Sequence, residues 1–157
     1  MIKVGDKLPD VSVTTLLAGE SQSGSISELF AGKRVVLFAL PGAFTPTCSA
    51  SHLPGYVVHA DQFFAKGVDI IACLSVNDTF VMKAWAEAQN AELITMVADG
   101  GAELTQAMGL EMNTGGFGGI RSQRYAMVIE DGVVTELNVE APKQFERSSA
   151  ETMLTLL

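Results

Sequence analysis

Apolar residues along the chain follow two spacings. Arg34-Val35-Val36-Leu37-Phe38-Ala39-Leu40 is a continuous apolar run rich in β-branched residues, the pattern of a strand covered on both faces. Val68 to Val76 repeats it, and Leu93 to Ala98 predicts a further strand. Between the first two, Leu53, Tyr56, Val57, Ala60, Phe63 and Phe64 recur at helical spacing. Pro54 predicts a kink there, because its ring clashes with the Ala50 carbonyl and offers it no N–H. After the second run, Asn77-Asp78 is a cap signal for a helix expected to turn Phe80, Val81, Ala84, Trp85 and Ala88 inward.

The flanking segments complete the pattern. Weak alternation through Val11 to Thr14 and the polar stretch from Gly19 to Gly24 predict a short hairpin, followed by a helical turn at Ser27 to Phe30. Ala102 to Met108 reads as a short helix, and Thr114 to Gly119 as a mobile glycine-rich loop. Asp131-Gly132 separates Tyr125-Ala126-Met127-Val128-Ile129 from Val133-Val134-Thr135-Glu136-Leu137 and predicts a β-hairpin. Ser148 and Glu151 form a capping box for a terminal helix. Strands alternating with helices and ending in a hairpin describe an α/β protein, with a central mixed sheet and helices on both faces. No repeat or linker divides the sequence, so residues 1–157 are expected to form a single domain.

Composition narrows the function. An apolar fraction of 48% supports a packed core, and 18 acidic against 10 basic residues give a net charge of −8, which opposes binding to nucleic acid or anionic membrane surfaces. The N-terminal residues lack a signal-like apolar run and no later run approaches membrane-spanning length, so a cytoplasmic protein is expected. Two cysteines on different predicted elements are not a disulfide framework.

The chemistry concentrates in Pro41-Gly42-Ala43-Phe44-Thr45-Pro46-Thr47-Cys48, between the first buried strand and the long helix. Thr45 suits the N-cap and Pro46 the first helical position, which makes Cys48 the third helical residue. There the sulfur meets unpaired backbone N–H groups and the positive end of the helix dipole, both favouring thiolate over thiol. The alternative is a small buried side chain near a helix start. A reactive thiol so placed points to a thioredoxin-like fold, although fold alone assigns no activity.

Pro41-x-x-x-Thr45-x-x-Cys48 resembles the active-site motif of the peroxiredoxins. Ser75-Val76-Asn77-Asp78 followed by Phe80 to Trp85, then Arg124-Tyr125-Ala126-Met127-Val128 and Asp131-Gly132-Val133-Val134, extend the resemblance to the type II, or five-type, subfamily over nearly the whole chain. The resemblance implies a thiol-specific peroxidase in which Cys48 is the peroxidatic cysteine, with Pro41, Thr45 and Arg124 completing the site. It also implies a homodimer around the active-site loop, for which apolar Phe44 and Phe80 give a physical motive. Hydrogen peroxide and organic hydroperoxides are the implied substrates, and no cofactor or metal is implied. The chemistry suits these residues: a Thr45 hydroxyl and the permanent charge of Arg124 face the negative charge that develops on the leaving oxygen. Pro41, lacking an amide donor, shields the sulfur.

Competing readings accompany each residue. Arg124 could pair with an acid, and Arg121 lies nearer the glycine loop, where it reads as a solvated charge outside the site. His52, one turn beyond Cys48, could form a nucleophile pair or half a metal site; with no recognisable ligand spacing it reads instead as a satisfied structural histidine. Cys73 lies inside Ile70-Ile71-Ala72-Cys73-Leu74 and is read as a buried, inert thiol. Some five-type peroxiredoxins carry a resolving cysteine near the C-terminus, but Phe145-Glu146-Arg147-Ser148-Ser149 contains none. Recycling is therefore expected from an external thiol, glutathione with glutaredoxin or thioredoxin, acting on an exposed sulfenic acid. A thiol-disulfide oxidoreductase and a non-enzymatic peroxide sensor are the alternatives; threonine at position 45 opposes the first, since it cannot complete a Cys-x-x-Cys dithiol.

Overall fold

The computed structural model describes residues 1–157. Seven strands form one mixed sheet: β1 (Ser12–Leu17), β2 (Glu20–Ser25), β3 (Arg34–Ala39), β4 (Ile70–Ser75), β5 (Thr95–Ala98), β8 (Tyr125–Glu130) and β9 (Val133–Val139). Their order across the sheet is β2-β1-β5-β4-β3-β8-β9. The centre, β5-β4-β3, is parallel, while β1 and β8 add antiparallel neighbours on either side. The expected mixed sheet flanked by helices is what forms.

The apolar runs are continuous because both faces of the sheet are covered. On β3, Val36 and Phe38, with Leu40 just after the strand, enter one core, and Val35, Leu37 and Ala39 enter the other. The first core is covered by α2 (Leu53–Val58), α3 (Ala60–Ala65), α4 (Thr79–Ala88) and α6 (Ala150–Leu154), through Leu53, Tyr56, Phe63, Met82, Trp85 and Met153. The second is covered by α1 (Ile26–Leu29) and α5 (Glu103–Ala107), with Phe30 and Met108. The predicted hairpins form, and the Asp131-Gly132 turn takes positive φ at both residues, as a tight primed turn requires.

Several local expectations change. The inward face of α4 is Met82, Trp85 and, half-buried, Ala86, while Phe80 is 83% exposed and Ala84 and Ala88 face out. Asp78 is the cap, accepting from the Val81 N–H at 2.8 Å, and this start rotates the stripe by one position. The terminal helix is capped by Ser149, whose hydroxyl oxygen accepts from Thr152 N–H, because Ser148 is buried and engaged elsewhere. The glycine-rich segment is the turn of a small hairpin, β6 (Glu111–Asn113) and β7 (Ile120–Ser122), closed by Thr114 N–H to the Gly119 carbonyl and Gly119 N–H to the Gly115 carbonyl. Its strands are too short to show a period of their own.

Candidate active site

The helix after β3 begins at Pro46, with the Thr45 carbonyl accepting the Ser49 N–H at 2.9 Å, so Cys48 is its third residue as expected. It does not continue as a regular α-helix. Cys48–His52 is a π-turn in which the Leu53 N–H reaches back to the Cys48 carbonyl. A wide turn just before Pro54 gives the proline ring room that an α-turn would deny it, so the disruption expected from Pro54 appears one turn earlier as a π-bulge. The bulge also changes which way the side chains of Cys48 and His52 face.

Cys48 is 1% exposed and belongs to the first core. Arg124, just before β8, donates from Nη2 to Cys48 Sγ at 3.2 Å and from Nη1 to His52 Nδ1 at 2.7 Å. Side-chain alternation explains the direction. Ala126 and Val128 point into the first core and Tyr125 and Met127 into the second, so Arg124 shares parity with the face that holds Cys48. Pro41 and Arg124 also line a groove of about 410 Å³ with Met112, Gln123, Glu140 and Lys143. The structure therefore brings Arg124 to Cys48, and Pro41 shares a groove with Arg124.

Thr45 departs from its expected use. Its hydroxyl donates to the Gly42 carbonyl at 2.6 Å, which closes the loop and leaves the oxygen with acceptor capacity rather than a free proton. The loop is also held from β4: Asn77 Oδ1 accepts from the Ala43 N–H at 3.0 Å and from the Ser75 hydroxyl at 2.5 Å. Phe44, between these anchors, has a φ of 64° and is 56% exposed.

Arg121 is not the solvated charge expected of it. It is half-buried, with Nε donating to the Gly118 carbonyl at 3.0 Å and Nη1 to the Val76 carbonyl at 3.2 Å. A Cβ at Gly118 would lie 2.8 Å from Nε, so that glycine is what lets the guanidinium fold back over its own turn. The arginine ties the glycine hairpin to the segment that anchors the cysteine loop. Only the pairing of β6 with β7, invisible in the sequence, sets that direction.

His52 is fully buried and satisfied on both nitrogens, the structural reading expected, though its partner Arg124 was not foreseen. Burial, reinforced by the Arg124 charge, holds it down to about 3, so the imidazole is neutral. Cys73 is buried in mid-strand opposite Phe38, and burial pushes its thiol well up. Both cysteines are free. No group of three His, Cys, Asp or Glu side chains is arranged to hold a metal.

Comparison with known proteins places this geometry. The redoxin family matches residues 3–154. Peroxiredoxin-2E-2, chloroplastic, of Oryza sativa subsp. japonica is 50% identical over 165 residues, covering 99% of this chain and 72% of its own. Peroxiredoxin-2B of Arabidopsis thaliana is 45% identical over 159 residues, covering 99% of this chain and 98% of its own. The crystal structure of reduced Prx3 from Vibrio vulnificus in complex with H2O2 superposes with a TM-score of 0.95 at 63% identity, covering 99% of this chain and 96% of that one. A buried thiol at a helix start, an arginine on its sulfur and a thioredoxin-like mixed sheet are thus found in a sequence whose relatives match it end to end. The chain belongs to the peroxiredoxins, the thiol-dependent peroxidases of the redoxin family, and within them to the type II, five-type group.

Proposed function

We propose that Cys48 is the peroxidatic cysteine and that Arg124, Thr45 and Pro41 complete its site. The observation that carries this is the guanidinium of Arg124 at 3.2 Å from Sγ, at the N-terminal end of the helix. The thiolate sulfur attacks one peroxide oxygen, an S–O bond forms as the O–O bond breaks, and the departing hydroxide or alkoxide takes a proton to leave as water or alcohol. Arg124 holds the thiolate beforehand and stabilises charge on the leaving oxygen. Thr45 Oγ, already donating to Gly42, accepts from the O–H of the bound hydroperoxide, a change from the donor role expected of it. Pro41, which shares a groove with Arg124 and has no N–H, limits water at the sulfur.

Hydrogen peroxide and small organic hydroperoxides are the proposed substrates, and an external thiol, glutathione with glutaredoxin or thioredoxin, the proposed reductant. Its sulfur attacks the Cys48 sulfenic acid, forms a mixed disulfide and releases water, and a second thiol then restores Cys48. The sulfenic acid was expected to be exposed, but at 1% exposure Cys48 is out of reach of a second sulfur in this conformation. The first turn must therefore open before the mixed disulfide forms, and a π-turn gives way more readily than regular helix. A homodimer is the proposed assembly, supported by Phe44, Phe80 and Phe117, exposed at 56%, 83% and 84%. Light scattering that found only monomer at micromolar concentration would remove it. A cytoplasmic location is proposed; no helix is long and apolar enough to cross a membrane, and two relatives are named chloroplastic. Steady-state peroxide consumption by Cys48→Ser with saturating thiol donor tests the central assignment: turnover is expected to vanish, and full turnover would overturn it.

A further inference from the structure

Between α5 and β8 the chain leaves the main sheet, and β6 and β7 pair only with each other. This hairpin carries Arg121, a half-buried cation with no carboxylate on it: the ion pairs of the protein are Lys3–Asp6, Arg34–Glu130 and His59–Glu151. Its acceptors are two backbone carbonyls. Nε is held by Gly118 within the same hairpin, which fixes the plane of the guanidinium, and Nη1 then donates across to Val76. An arginine bonded in this way acts as a strut between two segments of backbone.

The segment it meets is the one that anchors the cysteine loop. Ser75 and Asn77 flank Val76, and Asn77 Oδ1 holds the Ala43 N–H. The guanidinium also bears on the loop itself. A Cβ built on Gly42 would lie 3.5 Å from Arg121 Nη1 and 3.2 Å from Thr45 Cγ2, so Gly42 sits between the two side chains with little room to spare. The carbonyl of Gly42 is the one that accepts the Thr45 hydroxyl, at 2.6 Å. Phe44, next in the loop, has a φ of 64°, a conformation that residues with a Cβ disfavour and that persists only where the surroundings over-determine it.

We propose that Arg121 is a positioning residue of the peroxidase reaction: delivered by the β6–β7 hairpin, it braces Val76 and Gly42 and so holds the Thr45 hydroxyl where it meets the peroxide. It acts through Thr45 and leaves the sulfur to Arg124. The inference rests on Cys48 and Thr45 acting as proposed above, and Cys48→Ser and Thr45→Val assayed alone separate the two. Sustained turnover in the first, or an unchanged peroxide rate constant in the second, would fail that assignment; the Arg121 variants can fail with both intact.

The test reads two rates, the second-order rate constant with hydrogen peroxide and the iodoacetamide alkylation of Cys48 at pH 7, which follows the thiolate fraction. In Arg121→Met the peroxide rate constant is expected to fall about tenfold, the scale of one charge-assisted hydrogen bond, while alkylation does not fall. An unchanged peroxide rate constant, or an equal fall in both rates, would overturn the proposal. Gly118→Ala keeps the arginine but sets a Cβ 2.8 Å from Nε, so the guanidinium must shift off its carbonyls. The same pattern is expected there, and this variant decides the matter should Arg121→Met fail to fold; natural rates in it would refute the brace. Each change is also combined with Thr45→Val. The double variants are expected to lose little beyond Thr45→Val alone, whereas losses that multiply would show that Arg121 acts independently of Thr45 and would sink the inference.

Discussion

Replacing Arg124 by methionine keeps most of the apolar stem and removes both the charge and its hydrogen bonds. The guanidinium lies 3.2 Å from Sγ, where two unit charges at an effective dielectric constant of about 20 attract by about 5 kcal/mol. That gross figure is offset by the cost of holding the arginine out of water. A hydrogen bond to a charged group nets about 1.5–3 kcal/mol, so the peroxide rate constant is expected to fall about 10- to 150-fold. Arg124→Lys is expected to lie between the two proteins, because one ammonium restores the charge but cannot span both Sγ and His52 Nδ1 in the plane that the guanidinium fills. The assay is stopped-flow oxidation of Cys48 by hydrogen peroxide, paired with iodoacetamide alkylation at pH 7 to separate thiolate supply from leaving-group stabilisation. If alkylation and oxidation fall by the same factor, the arginine acts on the thiolate alone; if oxidation falls further, it also acts on the departing oxygen. A methionine variant with both rates unchanged would refute both roles.

Cys73→Ala is expected to retain most peroxidase activity, since the thiol is wholly buried and held protonated by that burial. Mass spectrometry after one equivalent of peroxide without donor checks the same point, and a Cys48–Cys73 disulfide as main product would contradict it. Asp99→Ala should destabilise the fold by about 3 kcal/mol, because the buried carboxylate takes the Leu104 and Thr105 N–H groups and the Thr105 hydroxyl. Calorimetry should show the midpoint lowered by about 6–12 °C. Burial pushes Glu140 up, but the hydrogen bonds from Ser148 and Glu146 outweigh it and hold the carboxyl below its usual range. Its contribution to stability is therefore present above the ordinary glutamate range and lost as pH falls through the lowered folded value. Denaturant titrations of Glu140→Gln across that window should show a weaker acid dependence than the natural protein, and an unchanged dependence would count against it.

The sheet was legible because a strand buried on both faces must be apolar at every position. β3 from Val35 and β4 as far as Leu74 meet that condition, and Asp131-Gly132 allows little but a tight turn. The cysteine at the third helical position was equally local, set by Thr45 and Pro46. What the chain alone determined, then, is the nucleophile's address and the layers around it. The tertiary structure decided what surrounds the sulfur. That Arg124 rather than Arg121 reaches Cys48 depends on β8 pairing with β3, which carries residue 124 across 76 positions of sequence. His52 became the arginine's partner because the π-turn redirects its side chain and Ser148, from the far end of the chain, fixes its proton. Contacts of that kind depend on which strands lie side by side and on which nitrogen carries a hydrogen, and neither leaves a period in the sequence.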